Sequence, residues 1–367
     1  MRAGAGTARV IAGVVALVLL LAPAAPPLEA RQAIDAATLD AAARDLPKLH
    51  SLLVHARGTL VFERYYHGAR ADRPANVKSA SKSVIAALVG IAIADRHLPG
   101  VREPVATYFP SLANDRDPRK RQITVEDLLT MRPGLESTSG RNYGRWVSSP
   151  NWVQFVLSRP MLTQPGASMD YSTGNTHLLS AILTRATGMS TRQFANTALA
   201  RPLGFTLPPG PTDPQGIYFG GNDMLMTPRQ LLDVGRLYLN GGRVDGRQVV
   251  PEAWVRQSCT GRPRELPDWA RGLESRGERD PLRDRQYGYG WWVHEIGGHP
   301  TCFAGGDGGP NGFGRRAPRA GRRSPPPPRV GGRGGAAPDV SEERRDHRRQ
   351  LVGMLTRLVV APLAAGR

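Results

Sequence analysis

The run from Val84 to Ala92 sets the tightest limit on how this chain can fold. Val84, Leu88 and Ile91 recur at i, i+4 and i+7, and Ile85, Val89 and Ala92 fill the neighbouring stripe. A helix of this kind is apolar over most of its circumference, so it has to be enclosed rather than laid on a surface. The chain has 367 residues, 40% of them hydrophobic, which is enough for a sizeable core or for two lobes around one. Disorder throughout is thereby excluded.

Other elements can be placed around that helix. Residues 34–48 are alanine-rich, with Leu39 and Leu46, and predict a first helix. Ser51 to His55 and Thr59 to Tyr66 are β-type runs separated by Ala56-Arg57-Gly58, a hairpin signal. Thr124-Val125-Glu126-Asp127 opens a short apolar helix that ends at Pro133-Gly134. Thr176 to Thr187, stopped by Gly188, and Thr227 to Leu239, stopped by Gly241-Gly242, predict two more. Residues 287–293, YGYGWWV, predict a strand, and Leu351 to Val360 a late helix.

The composition excludes several function classes. Two cysteines, Cys259 and Cys302, cannot make a disulfide scaffold or a four-cysteine zinc site; export would allow them to pair, but the expectation is two unpaired small apolar side chains. Eight histidines form no HExxH or Cys/His cluster, so neither metal nor cofactor is expected. The net charge of +18 would ordinarily suggest nucleic acid, but half of the excess lies beyond residue 310 and is not a property of the folded body. At the other end, Arg2 and Arg9 precede the apolar run Val10 to Ala22. An A-x-A site at Ala22–Ala24 follows, with Ala30 as a second cleavage point. That pattern predicts a signal peptide over residues 1–30 and a secreted or periplasmic protein. An uncleaved leader would be its one membrane attachment.

The chemistry centres on the start of the enclosed helix, at Ser79-Ala80-Ser81-Lys82. Residues three apart on a helix share a face, so Ser79 Oγ and Lys82 Nζ are neighbours. A lysine near a helix N-terminus and in apolar surroundings has its charged form disfavoured by the dipole and by desolvation. Its neutral amine can take the serine proton, the Ser-Lys version of an activated nucleophile. The bland alternative is a helix cap beside a solvated lysine. Tyr171-Ser172-Thr173-Gly174-Asn175 precedes a helix, and a tyrosine there can share a proton with Lys82. Its own bland alternative is an aromatic anchor for a loop.

These motifs, in this order, resemble the serine β-lactamase and penicillin-binding-protein superfamily. The resemblance is to its class C-like branch of β-lactamase-related serine hydrolases, which includes 6-aminohexanoate-oligomer hydrolases and esterases. It rests on LHSLLVHARGTLVFERYYHG at 49–68, VKSASKSVIAALVGIAI at 77–93, ITVEDLLTMRPGL at 123–135 and PGASMDYSTGNTHLLSAILTRATG at 165–188. RPLGF at 201–205, the run from Asp223 to Val255 and YGYGWWV at 287–293 add to it.

The resemblance implies an α/β (α+β) fold of the β-lactamase/transpeptidase type: an antiparallel sheet flanked by helices, plus a helical lobe. The domain would span 31–309, with the sheet lobe at 31–110 and 240–309 and the helical lobe at 111–239. By motif, Ser79 would be the acyl-forming nucleophile, Lys82 its partner, and Tyr171 the general base and acid. The backbone N–H groups of Ser79 and of Gly306, in the third-motif strand, would form the oxyanion hole. The substrate would be a small ester or amide. Two departures weigh against a dedicated β-lactamase. Thr173 stands where class C enzymes have asparagine, and Ala304–Gly306 carries no lysine or histidine to hold a carboxylate. A catalytically impaired binding protein on the same fold, and a β-lactamase or D-alanyl peptidase, are the alternatives.

Beyond residue 309 the expected pattern breaks. The family would place two valine-rich strands and a closing helix there, whereas this chain has GFGRRAPRAGRRSPPPP. Proline and glycine do not build central strands, so the sheet is expected to be incomplete after residue 309. Residues 310–340 fit a reading-frame shift, since arginine codons read one base on are often valine codons, with a C-terminal helix over 341–367. The competing reading is a genuine basic tail for nucleic acid or anionic surfaces. It sits poorly with an export signal, and no nucleic-acid partner is expected. The oligomeric state stays open.

Overall fold

The computed structural model describes residues 15–18, 34–262, 282, 285–306, 309–314 and 340–365. The expected cleavage sites at Ala22–Ala24 and Ala30 lie outside them. So does most of the Arg/Gly/Pro-rich stretch, with its expected frame shift.

Its centre is helix α2 (Ser81–Ala94), in which every residue from Ser81 to Ala92 is buried. Helix α1 (Ala36–Arg44) precedes it, capped by Asp35, whose carboxylate accepts from the Ala37 and Thr38 amides. Helices α3 (Val125–Leu129), α4 (Trp152–Leu157) and α5 (Thr173–Thr187) pack together, with α5 lying against α2 and against both of the others. Thr124 and Asp127 close α3 with a reciprocal capping box, which satisfies two N–H groups that a short helix leaves orphaned. Gly188 ends α5 at φ +69°, the left-handed turn for which glycine carries no Cβ penalty. Helices α6 (Pro228–Leu239) and α7 (Glu252–Ser258) follow. Trp254 of α7 lies flat over Gly90 of α2, where any Cβ would meet its ring at 2.5 Å.

One seven-stranded sheet carries the rest. Its strands are β1 (Val15–Val18), β2 (Ser51–Ala56), β3 (Thr59–Tyr65), β4 (Gln286–Tyr287), β5 (Trp292–Ile296), β6 (His299–Gly306) and β7 (Gly309–Gly314). They lie in the order β3-β2-β1-β7-β6-β5-β4. Helix α6 covers β2, β1 and β7, while helix α8 (Val340–Leu355) packs on β7 and on α1. Strand β2 is buried along its whole length. Its alternation sends Leu53 into the core around α2, and Leu52 and Val54 into a second core with Leu39, Phe62, Phe303, Leu351 and Leu355. Full burial of each such leucine is worth about 2 kcal/mol.

Four sequence expectations need correcting. Residues 287–293 are not one strand: Tyr287 ends β4, Trp292 begins β5, and Gly290 turns between them at φ +73°. Cys259 and Cys302 are not two separate thiols but a disulfide, joining the end of α7 to β6 with their Cα atoms 5.4 Å apart. The segment after residue 309 does form a strand. Pro310 is tolerated in it because it faces Gly305 where the β6–β7 register shifts, a bulge position at which a ladder N–H is not required. Finally, the sheet is not wholly antiparallel. Val15–Val18, from the expected leader, runs parallel to β2 on one side and to β7 on the other. Ala16 faces Leu53 and Gly312, so four residues from the start of the chain close the sheet between its first hairpin and its last strand. Among the described residues no helix is long and apolar enough to cross a membrane.

Candidate active site

Ser79 lies in a single 3-10 turn, Lys78–Ala80, that feeds α2. The turn is entered through Lys78 at φ +51°, a conformation that a side chain other than glycine adopts only when its surroundings hold it. Here the Lys78 amide donates to Asn76 Oδ1 (2.7 Å), and Lys78 Nζ lies 3.8 Å from Asp223 Oδ1. Ser81 fastens the turn from the helix side. Its hydroxyl donates to the Lys78 carbonyl (2.6 Å) and accepts from the Met224 amide (3.2 Å).

Lys82 is one turn further on and only 1% exposed. Its Nζ donates to Ser79 Oγ (3.0 Å), to Thr173 Oγ1 (3.4 Å) and to the Gly221 carbonyl. The ring of Tyr171 lies beside it, with Nζ 5.0 Å from the ring centre. The structure thus brings Ser79 and the Tyr171 ring beside Lys82.

Tyr171 is held from two sides. Its ring stacks on Trp292 (centres 5.5 Å apart, planes 19° apart) and meets the edge of Tyr287 at 6.1 Å. Tyr287 is fully enclosed, and burial, with Tyr171 adding to it, pushes its hydroxyl well above the ordinary phenol range. The backbone of the Tyr171 segment is fastened by Ser137, Thr138 and Ser139. Ser137 Oγ donates to the Tyr171 carbonyl (2.7 Å), the Thr138 amide donates to Ser172 Oγ (3.1 Å), and the Thr173 amide donates to Ser139 Oγ (2.9 Å). The Gly174 amide donates to Thr138 Oγ1 (3.0 Å). Asp170 accepts from the Ser137 amide (3.2 Å), yet burial, with Glu136 nearby, pushes its carboxyl up to about 6.

Gly306, the expected second oxyanion donor, ends β6, where it pairs with Gly309. The strand packs against the Lys78–Ala80 turn, so the third-motif wall faces the serine. Gly305 is close to Trp292, and a Cβ there would meet the indole at 2.7 Å. That approach seats Trp292 under Tyr171.

Sequence reasoning missed Gly221, Trp292, Gly305 and the Ser137–Ser139 clamp. The clamp had a signal, a run of three hydroxyl residues soon after Pro133-Gly134, but its partners lie more than thirty residues away. The Gly221 contribution is a backbone carbonyl and has no residue-type signature. Chemically, the group is a serine hydroxyl beside a buried amine, a tyrosine ring against that amine, and a strand packed on the turn that carries the serine. Among the described residues no cluster of three metal-ligating side chains occurs.

Comparison with known proteins bears on the family and the fold. The family model described as Beta-lactamase matches residues 50–321. The 6-aminohexanoate-dimer hydrolase of Paenarthrobacter ureafaciens is 26% identical over 281 residues, covering 69% of each chain. Among solved structures, the D-stereospecific amidohydrolase from Streptomyces sp. superposes with a TM-score of 0.51 at 19% identity, covering 67% of this chain and 78% of that one. The unliganded simvastatin synthase of Aspergillus terreus gives 0.54 at 17% identity, covering 74% and 87%. At such identities the two structures speak for the fold.

Proposed function

This chain belongs to the beta-lactamase family, one of serine hydrolases, and from that premise we propose that it is an exported hydrolase working through an acyl-enzyme on an ester or amide. The observation that carries the proposal is Lys82 Nζ, buried and 3.0 Å from Ser79 Oγ at the head of α2. A buried amine gives up its extra proton more readily than a solvated one. In the proposed step Ser79 Oγ attacks the carbonyl carbon while its proton passes to Lys82. Tyr171 relays that proton to the departing alcohol or amine. Water then attacks the ester formed on Ser79, releasing the acid and restoring the serine. Developing negative charge on the carbonyl oxygen is met by the backbone N–H groups of Ser79 and Gly306, such donors being worth about 3 kcal/mol each.

Ala304–Gly306 offers no cationic side chain, which favours substrates without a carboxylate at that wall and so an ester or amide over a β-lactam. The leader-like pattern of residues 1–30 supports a secreted or periplasmic setting with the leader retained, since Val15–Val18 lies within the sheet. The test is labelling by a fluorophosphonate, read by intact mass. The expected result is one adduct on the parent chain and a fall of about a thousandfold or more in labelling for Ser79→Ala. An adduct that persists at full rate in Ser79→Ala overturns the proposal.

A further inference from the structure

Ser81 is fully enclosed, yet the proposed reaction gives it no step. Its hydroxyl donates to the Lys78 carbonyl (2.6 Å) and accepts from the Met224 amide (3.2 Å). That carbonyl belongs to the peptide unit whose N–H is the Ser79 amide. Resting on the serine-hydrolase reading above, we propose that Ser81 is a positioning residue for the oxyanion hole. By holding the Lys78 carbonyl it aims the Ser79 N–H and strengthens it as a donor.

Neither of the two bonds can run the other way. A backbone carbonyl only accepts, and a backbone N–H only donates. The single Ser81 hydroxyl proton therefore lies toward the Lys78 oxygen, and a lone pair of Ser81 Oγ faces the Met224 N–H. The Lys78 carbonyl also accepts from the Ser81 amide, so one residue holds it through two donors.

A peptide unit is planar, and this one is trans, so its C=O and N–H leave opposite edges of one plate. Fixing the oxygen fixes the hydrogen. Unheld, the plate can swing by opposite changes of Lys78 ψ and Ser79 φ. The other N–H groups of the turn are taken, Lys78 by Asn76 Oδ1 and Ala80 by the Val77 carbonyl. The Ser79 N–H meets no acceptor among the described residues, which leaves it for the substrate. The bonds also run head to tail, from the Met224 N–H through the Ser81 hydroxyl to the Lys78 carbonyl. Each polarises the next, and the Ser79 N–H at the end of the series is left more positive. Serines that donate back to a carbonyl one turn earlier are ordinary in helices. This one differs in the peptide unit that receives the bond.

The test uses the full chain and a fluorophosphonate, whose attack by Ser79 also builds negative charge on an oxygen, so no natural substrate is needed. For Ser81→Ala the expected result is a fall of about tenfold in kinact with KI unchanged, a fraction of what outright removal of an oxyanion donor costs. Ser81→Thr keeps the hydroxyl and should restore the parent rate. Where thermal unfolding shows that its extra methyl disrupts the enclosed site, Ser81→Cys, a weaker donor, should fall between Ser81→Ala and the parent. Ser83→Ala is the control. Ser83 is buried on the same helix and donates to the Gly290 carbonyl (2.6 Å), so its loss weakens α2 without touching the Lys78–Ser79 unit. Its kinact should stay at the parent value. A Ser81→Ala chain that labels at the parent rate overturns the inference while leaving the hydrolase reading intact. So does a loss that neither donor-bearing variant relieves, or an equal loss in Ser83→Ala. A parent chain that takes no label on Ser79 sinks the hydrolase reading, and this inference with it.

Discussion

The two walls of the site are held together by different means. On the wall built from α2, residues 137–139 and the start of α5, named side chains do the holding. Ser81, Ser137, Thr138 and Ser139 each fasten a particular backbone or hydroxyl group, and Lys82 reaches across to Thr173. On the wall built from β6 and β7 the holding is by strand pairing, by close glycine approach and by one disulfide. Side-chain bonding requires particular residues at particular positions. Backbone pairing accepts residues of any side chain, with Pro310 placed at the register shift, which is how Gly309–Gly314 can serve as a strand and how Val15–Val18 can lie beside it.

Three experiments probe that contrast. The largest effect is expected in the backbone-held region. Leu17 has paired strands on both sides, so its N–H is committed whichever neighbour it faces. Leu17→Pro removes that donor and should cost about 3 kcal/mol in urea unfolding of the full chain. An unchanged midpoint would mean that β1 is dispensable and that the sheet closes without it.

A smaller effect belongs to the side-chain-held wall. A Cβ at Gly174 would lie 2.5 Å from both Thr138 Oγ1 and Val156 Cγ2. Gly174→Ala should therefore cost about 2 kcal/mol and slow fluorophosphonate labelling severalfold, because the Tyr171 segment must shift. Normal labelling at normal stability would show this wall to be as permissive as the other.

The smallest effect is a pH dependence. Asp170 is pushed up to about 6 in the folded chain, chiefly by burial. Below about pH 4 the carboxyl is protonated in both states. As pH rises from there to about 6 the unfolded chain gives up this proton while the folded chain keeps it, so the stability contribution of the group falls, and above that it stays low. Asp170→Asn should therefore be more stable than the parent at pH 8, by on the order of 1 kcal/mol after solvent screening, and equal to it near pH 4. A difference that is the same at both pH values would place the effect in the Ser137 hydrogen bond rather than in the charge.

What was legible in the sequence follows the same division. The α2 helix was readable because enclosure leaves a periodic mark, and the closeness of Ser79 to Lys82 because residues three apart on a helix share a face. The β2–β3 hairpin was readable from its β-type runs and the glycine between them. The disulfide was not, since nothing in the local sequence says that α7 and β6 meet. Residues 287–293 misled because aromatic content signals a strand while Gly288 and Gly290 allow the chain to turn within it. Strands β1 and β7 were unreadable for a deeper reason: their role depends on which edges are left to fill, and no run of six residues carries that information.

The place of β1 also sets an order of events during synthesis. Val15–Val18 can find Leu52–His55 soon after both emerge, since little chain separates them. Its other neighbour, Gly312–Phe313, is made only near the end. Until then one side of β1 is an open edge with unsatisfied backbone groups, the kind of surface that pairs with whatever strand is nearby. Closing it is a contact of very high sequence separation, which makes for slow folding. Val15–Val18 therefore has to be kept from other partners until Gly312–Phe313 has been made, and anything that captures it first leaves the rest of the sheet without its middle.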